Sequence, residues 1–164
     1  MKPSRPELRI VQVGHGSVKM QWGDDTVLTA AASSSPSRDV EVARKRGLML
    51  DFFNKLDVGD LSAFDLFGPG FEHHNRLPGA ANDSREEARR AFGTLREAAP
   101  DMRHDVHDIA VEGEFVALRV VHSGTLQQEV PGFDLPTGRF QRTLWMLYRF
   151  EGNAITEEWL ARTA

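Results

Sequence analysis

The sequence contains no cysteine. Disulfide bonds, thiolate nucleophiles and thiolate metal ligands are therefore excluded, and the composition suits a reducing compartment such as the cytoplasm. It also lacks any run of 18 apolar residues, so no membrane span is expected. Residues 1–6 are not followed by the apolar stretch of a secretory signal. We therefore expect a cytoplasmic protein without a membrane partner.

An excess of basic residues is absent too. Aspartate and glutamate outnumber lysine and arginine by 24 to 20, which gives a net charge of −4. Because a nucleic-acid-binding surface must neutralise phosphates, no nucleic-acid partner is expected. The Gly-x-Ser-x-Gly, phosphate-binding and dinucleotide-binding motifs are also missing. Their absence argues against the matching hydrolases, nucleotidases and dehydrogenases, and we expect no cofactor.

The first 36 residues differ in pattern from the rest of the chain. Alternating and turn-flanked apolar residues predict three short strands there. These strands are 8–13, 17–22 and 26–31. We predict an N-terminal β-strand extension, residues 1–36, followed by one α+β domain, residues 37–164. Three interpretations of the extension stay open: a strand or hairpin added to the main sheet or exchanged between subunits, a disordered leader, or a lid over a pocket.

The main domain begins with helical periodicity and ends with strand periodicity. Apolar residues recur at helical spacing in three segments, and Ser37, Asp60 and Ser84 are the predicted N-caps. After Pro100 the period changes to two. The strands predicted there are 102–109, 115–123, 140–150 and 154–162. Helices followed by such strands are typical of α+β proteins, so we predict a curved antiparallel sheet with helices over one face and a ligand-binding concavity beneath them.

Seven landmarks between Phe52 and Trp159 occur in a familiar order. They are Gly59-Asp60-Leu61, Phe71-Glu72-His73-His74-Asn75, Pro100-Asp101-Met102-Arg103-His104, Val116-Ala117-Leu118-Arg119, Pro136-Thr137-Gly138-Arg139, Tyr148-Arg149-Phe150 and Glu157-Glu158-Trp159. Over residues 45–162, their order and spacing resemble the SnoaL-like polyketide cyclases of the nuclear-transport-factor-2-like superfamily. The resemblance implies a cone-shaped α+β fold with about three N-terminal helices, a small-molecule pocket and a homodimer formed through the open sheet face.

The same resemblance implies a cofactor-independent cyclase or isomerase of polyketide or related secondary metabolism. Such an enzyme moves a proton next to a carbonyl, and histidine is the usual acid or base near neutral pH. His74 matches the histidine of the family pattern Phe-Val-Asp-His-Asn-Pro, and we predict it as the base. His104, on the apolar face of its predicted strand, or Arg119, which matches the arginine of Val-Ala-Val-Arg-Trp, is predicted to polarise the carbonyl.

Structural roles remain open for these residues. His74 is alternatively a backbone-bonded histidine at a corner, and Arg119 alternatively forms a cross-strand ion pair with Asp105 or Glu158. His73 and His74 are adjacent, so only one of them faces the pocket of a regular strand. A metal is not expected, because it would require convergence of distant histidines. Two further histidines, His15 and His122, have no supporting sequence context.

One position departs from the family pattern. Ring-closing cyclases of this family use an aspartate in the pattern Gly-Ile-Asp-Ile-Tyr-Arg-Phe, and that position is Met146 here, or Leu147 when aligned on Thr137-Gly138-Arg139. We therefore predict a largely apolar pocket for a small hydrophobic or aromatic ligand. Its predicted lining is His73, Asn75, Leu126, Phe133, Leu144, Met146 and Trp159. The lost aspartate also favours a rival hypothesis, a non-catalytic small-molecule-binding protein, and a third is assembly through the N-terminal extension.

Overall fold

The computed structural model describes residues 8–14, 17–22, 26–29, 36–74 and 84–162. Its elements in chain order are β1 Leu8–Gly14, β2 Ser17–Trp22, β3 Thr26–Thr29, α1 Pro36–Asp57, a 3-10 helix Leu61–Leu66, β4 Phe67–His73, α2 Arg85–Ala98, β5 Arg103–Glu112, β6 Phe115–Leu126, β7 Gly138–Glu151 and β8 Ala154–Arg162. Strands β1 to β3 form one antiparallel sheet, and the other five form a second sheet in the order β4-β8-β7-β6-β5. The predicted α+β class is confirmed.

The five-stranded sheet is mixed, which corrects the prediction of an antiparallel sheet. Strands β5 to β8 are antiparallel, whereas the edge strand β4 runs parallel to β8. Strand β4 was not predicted, because Gly68-Pro69-Gly70 interrupts its alternation and is typical of the end of a helix. Proline is tolerated in an edge strand, where a missing backbone donor leaves no ladder bond unmade.

The helix boundaries follow local capping chemistry. Ser84 caps α2 as predicted, because its Oγ accepts a hydrogen bond from the backbone N–H of Glu87 at 3.2 Å. Asp60 caps the 3-10 helix in the same way, with Oδ1 2.9 Å from the backbone nitrogen of Ser62. Helix α1 begins at Pro36, one residue before the predicted cap, and proline is favoured there because the first helical N–H groups need no partner within the helix.

The helices pack on one face of the five-stranded sheet, which we call the inner face. In β6, Val116, Leu118 and Val120 are buried against α1, and the residues between them point to the opposite, outer face. Register places Leu144 and Met146 of β7 beside Val120 and Leu118 on the inner face. A separate apolar group, Trp145, Leu147 and Trp159, lies on the outer face.

The N-terminal strands form their own sheet. Strand β1 approaches β8, but no ladder joins the two sheets among the described strands. The extension therefore differs from a strand simply added to the main sheet, and its boundary at residue 36 remains a prediction. In the described part of the chain, no helix is both long enough and apolar enough to cross a membrane.

Gly124 occupies a tight position on β6, and replacing it with alanine should destabilise the protein. An added Cβ would lie 3.1 Å from the Met102 Cα and 3.1 Å from the Phe140 ring. Because one of these neighbours is backbone, we expect Gly124→Ala to lower the free energy of unfolding by about 1–3 kcal/mol. Gly70→Ala is the control, since a Cβ there meets nothing within 4 Å. Urea unfolding of both variants checks this, and equal stabilities would contradict it.

Candidate functional site

Two histidines face each other on the inner face of the sheet. His104 of β5 and His122 of β6 are directly paired across the strands. Their rings are parallel within 5° and their centroids are 4.7 Å apart. The two rings are therefore stacked against each other. We call these two residues the histidine pair.

Asp57, the last residue of α1, holds one member of the pair. Its Oδ1 lies 2.7 Å from Nδ1 of His104 and 3.0 Å from the backbone nitrogen of the same residue. An ionised carboxylate only accepts hydrogen bonds, so His104 donates from Nδ1 and keeps the lone pair on Nε2. This arrangement fixes the tautomer and makes Nε2 available as a proton acceptor.

His122 is buried and makes no hydrogen bond to the part of the chain that the structure describes. Only 2% of its surface is exposed, and neither ring nitrogen has a partner among the described residues. Burial, and to a smaller extent the nearby His104 and Arg142, lowers the pKa of His122 from 6.5 to about 2. The imidazole is therefore neutral at physiological pH. Since buried polar atoms are nearly always paired in native proteins, these two nitrogens are candidate hydrogen-bonding groups for a ligand.

The surroundings of the histidine pair are aromatic. Phe53 of α1 and Phe92 of α2 approach His104, with ring centroids 5.4 and 5.8 Å away. Phe140 of β7 meets His122 edge-on at 5.0 Å. These rings exclude water and lower the local dielectric constant, which strengthens any hydrogen bond that a ligand makes there.

The predicted site residues divide between the two faces of the sheet. His104, His73, Leu144 and Met146 lie on the inner face. Leu126 and Phe133 belong to a neighbouring core cluster that also contains Phe140, whose ring contacts His122. Asn75 lies outside the described residues. The inner face thus brings together His104 and the apolar part of the predicted lining.

His74, Arg119 and Trp159 lie on the outer face instead. The His74 ring stacks on Trp159 at 4.4 Å, and its Nε2 is 2.6 Å from Oε2 of Glu157. Arg119 projects from β6 between the inward residues Leu118 and Val120. The sheet therefore separates these two predicted catalytic residues from His104.

The ion pair of Arg119 differs from the one considered in the sequence. Its Nε is 2.5 Å from Oδ2 of Asp108, and not bound to Asp105 or Glu158. A bulge between Val106 and Asp108 adds one residue to β5, which places Asp108 directly opposite Arg119. Regular alternation could not anticipate that shift.

A second polar group lies on the inner face, formed by His73, Tyr148 and Glu158. Glu158 of β8 is paired with Tyr148 of β7 and with His73 of β4. It is 7% exposed, and Tyr148 is fully buried. Burial, and then the nearby Glu158, raises the pKa of the Tyr148 phenol, which therefore stays protonated, and its hydroxyl donates to Sδ of Met146 at 3.6 Å. We call these three residues the Glu158 group.

Sequence reasoning missed Asp57, His122 and the Glu158 group. A signal for His122 was present, because it continues the buried alternation of Val116, Leu118 and Val120. No comparable signal identifies Asp57, which is 47 positions away from its partner His104. Within the described part of the chain, no three histidine, aspartate or glutamate side chains are grouped to hold a metal ion.

Comparison with known proteins agrees with this architecture. IdmH from Streptomyces antibioticus is 29% identical, with 71% of this chain and 90% of IdmH covered and a TM-score of 0.58. TsrD from Streptomyces laurentii is 23% identical, with 73% and 88% covered and a TM-score of 0.64. A SnoaL-like polyketide cyclase from Agrobacterium tumefaciens is 19% identical, with 71% and 88% covered and a TM-score of 0.58.

No curated protein matches the sequence. The sequence model of the SnoaL-like polyketide cyclases matches residues 43–162, most of the main domain and nearly the segment inferred from the seven landmarks. It includes the histidine pair and the Glu158 group. The chain therefore belongs to the SnoaL-like polyketide cyclase family.

Proposed function

We propose that this chain is a cofactor-independent enzyme that moves a proton next to a carbonyl of a small, largely apolar polyketide. Family membership supports a polyketide-cyclase-type function. The observation that carries the chemical assignment is His122, a buried neutral imidazole beside a histidine held by a carboxylate. Neither of its ring nitrogens is paired within the described ranges. The proposal thus keeps His104 as a catalytic residue and replaces His74 and Arg119, which lie on the outer face.

The proposed step begins at Nε2 of His104. This nitrogen takes a proton from the carbon next to a substrate carbonyl, and the C–H electron pair moves to the carbonyl oxygen as an enolate. A neutral N–H of His122 donates a hydrogen bond to that oxygen as its negative charge develops. Asp57 stabilises the imidazolium of His104 through the hydrogen bond at Nδ1.

The enolate then has two outcomes that balance without a cofactor. Its carbon attacks a second carbonyl of the same substrate, forming a carbon–carbon bond, and the new alkoxide takes the proton from His104. Alternatively, the proton returns to a different atom, which gives an isomer. Neither route changes the oxidation state overall, so the residues of the inner face supply every group that the step needs.

The test uses 1-tetralone, an apolar bicyclic ketone, in D₂O. Wild-type protein is expected to accelerate deuterium incorporation next to the carbonyl above the buffer rate, measured by proton NMR. His104→Gln should slow the enzyme-dependent rate about hundredfold, because a positioned base contributes roughly 10²–10⁴ in rate. His107→Gln is the matched control, since His107 lies on the same strand with 38% of its side chain exposed.

Two outcomes would contradict this assignment. Exchange by wild type at the buffer rate would remove the catalytic proposal altogether. Loss of exchange in His74→Gln together with full activity in His104→Gln would return the base to His74, on the outer face.

One observation favours a second function, non-catalytic binding of a small molecule. Met146 stands where related cyclases have their acidic residue, and it packs on the inner face with Leu144 and Leu118. Such a surface is able to hold an apolar ligand without changing it. Ligand retention with no tetralone exchange would support this alternative. Dimerisation through the open sheet face and a role in secondary metabolism remain predictions.

A further inference from the structure

The Glu158 group contains a buried carboxyl group that no lysine or arginine of the described residues pairs with. Among the salt bridges of the described residues, Glu158 has a single partner, His73, at 3.7 Å between Oε2 and Nε2. This distance is too long for a direct hydrogen bond. Tyr148 lies directly opposite Glu158 on the neighbouring strand, and its hydroxyl donates to Sδ of Met146. A carboxylate has room for about four donors, so the group retains accepting capacity on the side of His73.

His73 has unused hydrogen-bonding capacity as well. Its Nδ1 is buried without a partner among the described residues, whereas the side chain as a whole is 21% exposed. The group is therefore enclosed around Tyr148 and more open around His73. In the strand order, Tyr148 lies nearer the histidine pair and His73 lies at the edge of the sheet.

The geometry of this gap suits one oxygen atom. An oxygen is able to lie about 2.8 Å from both Nε2 of His73 and Oε2 of Glu158, given their separation of 3.7 Å. That oxygen must accept a hydrogen bond from the imidazole and donate one to the carboxylate. A hydroxyl group does both, whereas an ether or a ketone oxygen only accepts and an ammonium only donates.

We propose that the Glu158 group is a binding subsite for a hydroxyl group, either phenolic or enolic, on an apolar ligand. His73 donates to the hydroxyl oxygen, and Glu158 accepts its proton in a hydrogen bond. Tyr148 lies opposite the carboxylate-bearing residue on the neighbouring strand. Leu144 and Met146 lie between this subsite and the histidine pair on the inner face, so the ligand body that carries the hydroxyl packs on apolar side chains.

This subsite concerns binding and is independent of the proton transfer assigned to His104 and His122. It selects hydroxylated ligands over their alkylated or deoxygenated analogues. Sites built to bond a hydroxyl discriminate strongly against analogues that lack it, because their buried polar groups are then left unpaired. A carboxylate acceptor strengthens that preference, since hydrogen bonds to charged groups are stronger than neutral ones.

The experiment compares two probes that differ only at one oxygen, 2-naphthol and 2-methoxynaphthalene. Binding to the full-length protein is followed by isothermal titration calorimetry at pH 7. Wild type is expected to bind 2-naphthol at least tenfold more tightly, and Glu158→Gln should reduce this preference to less than threefold. Glu157→Gln is the matched control, because the adjacent carboxylate faces the outer side and pairs with His74 and Arg149.

His73→Phe keeps a ring but removes the donor, and it should weaken the preference as well. This second variant covers the case in which Glu158→Gln fails to fold. Variants of His104 should leave the preference intact while they lose tetralone exchange, so failure of the subsite and failure of the proposed reaction are distinguishable. Equal binding of the two probes by wild type, no binding of either, or an unchanged preference in both variants would overturn the proposal.

Discussion

Replacing His122 with leucine is expected to stabilise the protein and to make its stability less sensitive to pH. The imidazole is buried, and among the residues that the structure describes neither nitrogen has a partner, so an apolar side chain of similar size removes that desolvation penalty. We expect the free energy of unfolding at pH 7 to rise by about 1–2 kcal/mol. Urea unfolding followed by circular dichroism measures the change.

The pH dependence follows from the depressed pKa of His122. In the unfolded chain this histidine titrates near 6.5, but in the folded protein only near pH 2. Below pH 6.5 the unfolded state binds a proton that the folded state does not, so wild type loses stability as pH falls, by up to about 1.4 kcal/mol per pH unit. His122→Leu lacks this term, and at pH 5 its advantage should grow by a further ~2 kcal/mol.

The substitution His122→Leu has a matched control and an expected effect on activity. His107→Leu removes an exposed imidazole and should change stability at pH 7 by less than about 0.5 kcal/mol. His122→Leu should also lose the donor to the enolate oxygen, which costs about 10²–10³ in rate by analogy with other oxyanion donors. If His122→Leu is less stable than wild type, or if its stability depends on pH as that of wild type does, the ring nitrogens of His122 have a hydrogen-bond partner in the ligand-free protein.

Local pattern accounts for most of the fold. The helices and four of the five main-sheet strands follow from apolar periodicity and from caps such as Ser84, because both signals lie within a few residues of the element they specify. Strand β4 is different. Its residues 68–70 contain glycine and proline, and its place in the sheet depends on pairing with β8, more than 80 positions later.

The candidate site was predictable only in part, for the same physical reason. Alternation along β5 placed His104 inside, and the same rule applied to β6 would have placed His122 beside it. The bulge between Val106 and Asp108 shifts the alternation of side chains along β5 by one residue. Asp108 therefore pairs with Arg119, which a regular strand would not allow. Contacts between distant segments, such as Asp57 with His104 and His73 with Glu158, depend on the tertiary fold and leave no periodic signal.

Asp57→Asn should slow the enzyme-dependent exchange of 1-tetralone about hundredfold while leaving its affinity nearly unchanged. The carboxylate fixes the tautomer of His104 through Nδ1 and stabilises the imidazolium that forms when Nε2 takes the substrate proton. Asparagine keeps the size of the side chain but carries no charge, and its amide also permits the opposite tautomer. The expected loss therefore falls on kcat, within the roughly 10²–10⁴ that a general base supplies, and not on KM.

A structural role for Asp57 makes a different prediction. The carboxylate also accepts from the backbone nitrogen of His104, so losing it could loosen the junction between α1 and β5. A loosened junction would lower stability and raise KM together, whereas loss of base orientation lowers kcat in a folded protein. Asp51→Asn is the matched control. Asp51 is an exposed residue of the same helix that pairs with Lys55, so this variant should retain at least half of the activity. An unchanged kcat in Asp57→Asn would show that the Asp57 carboxylate does not orient His104 for catalysis.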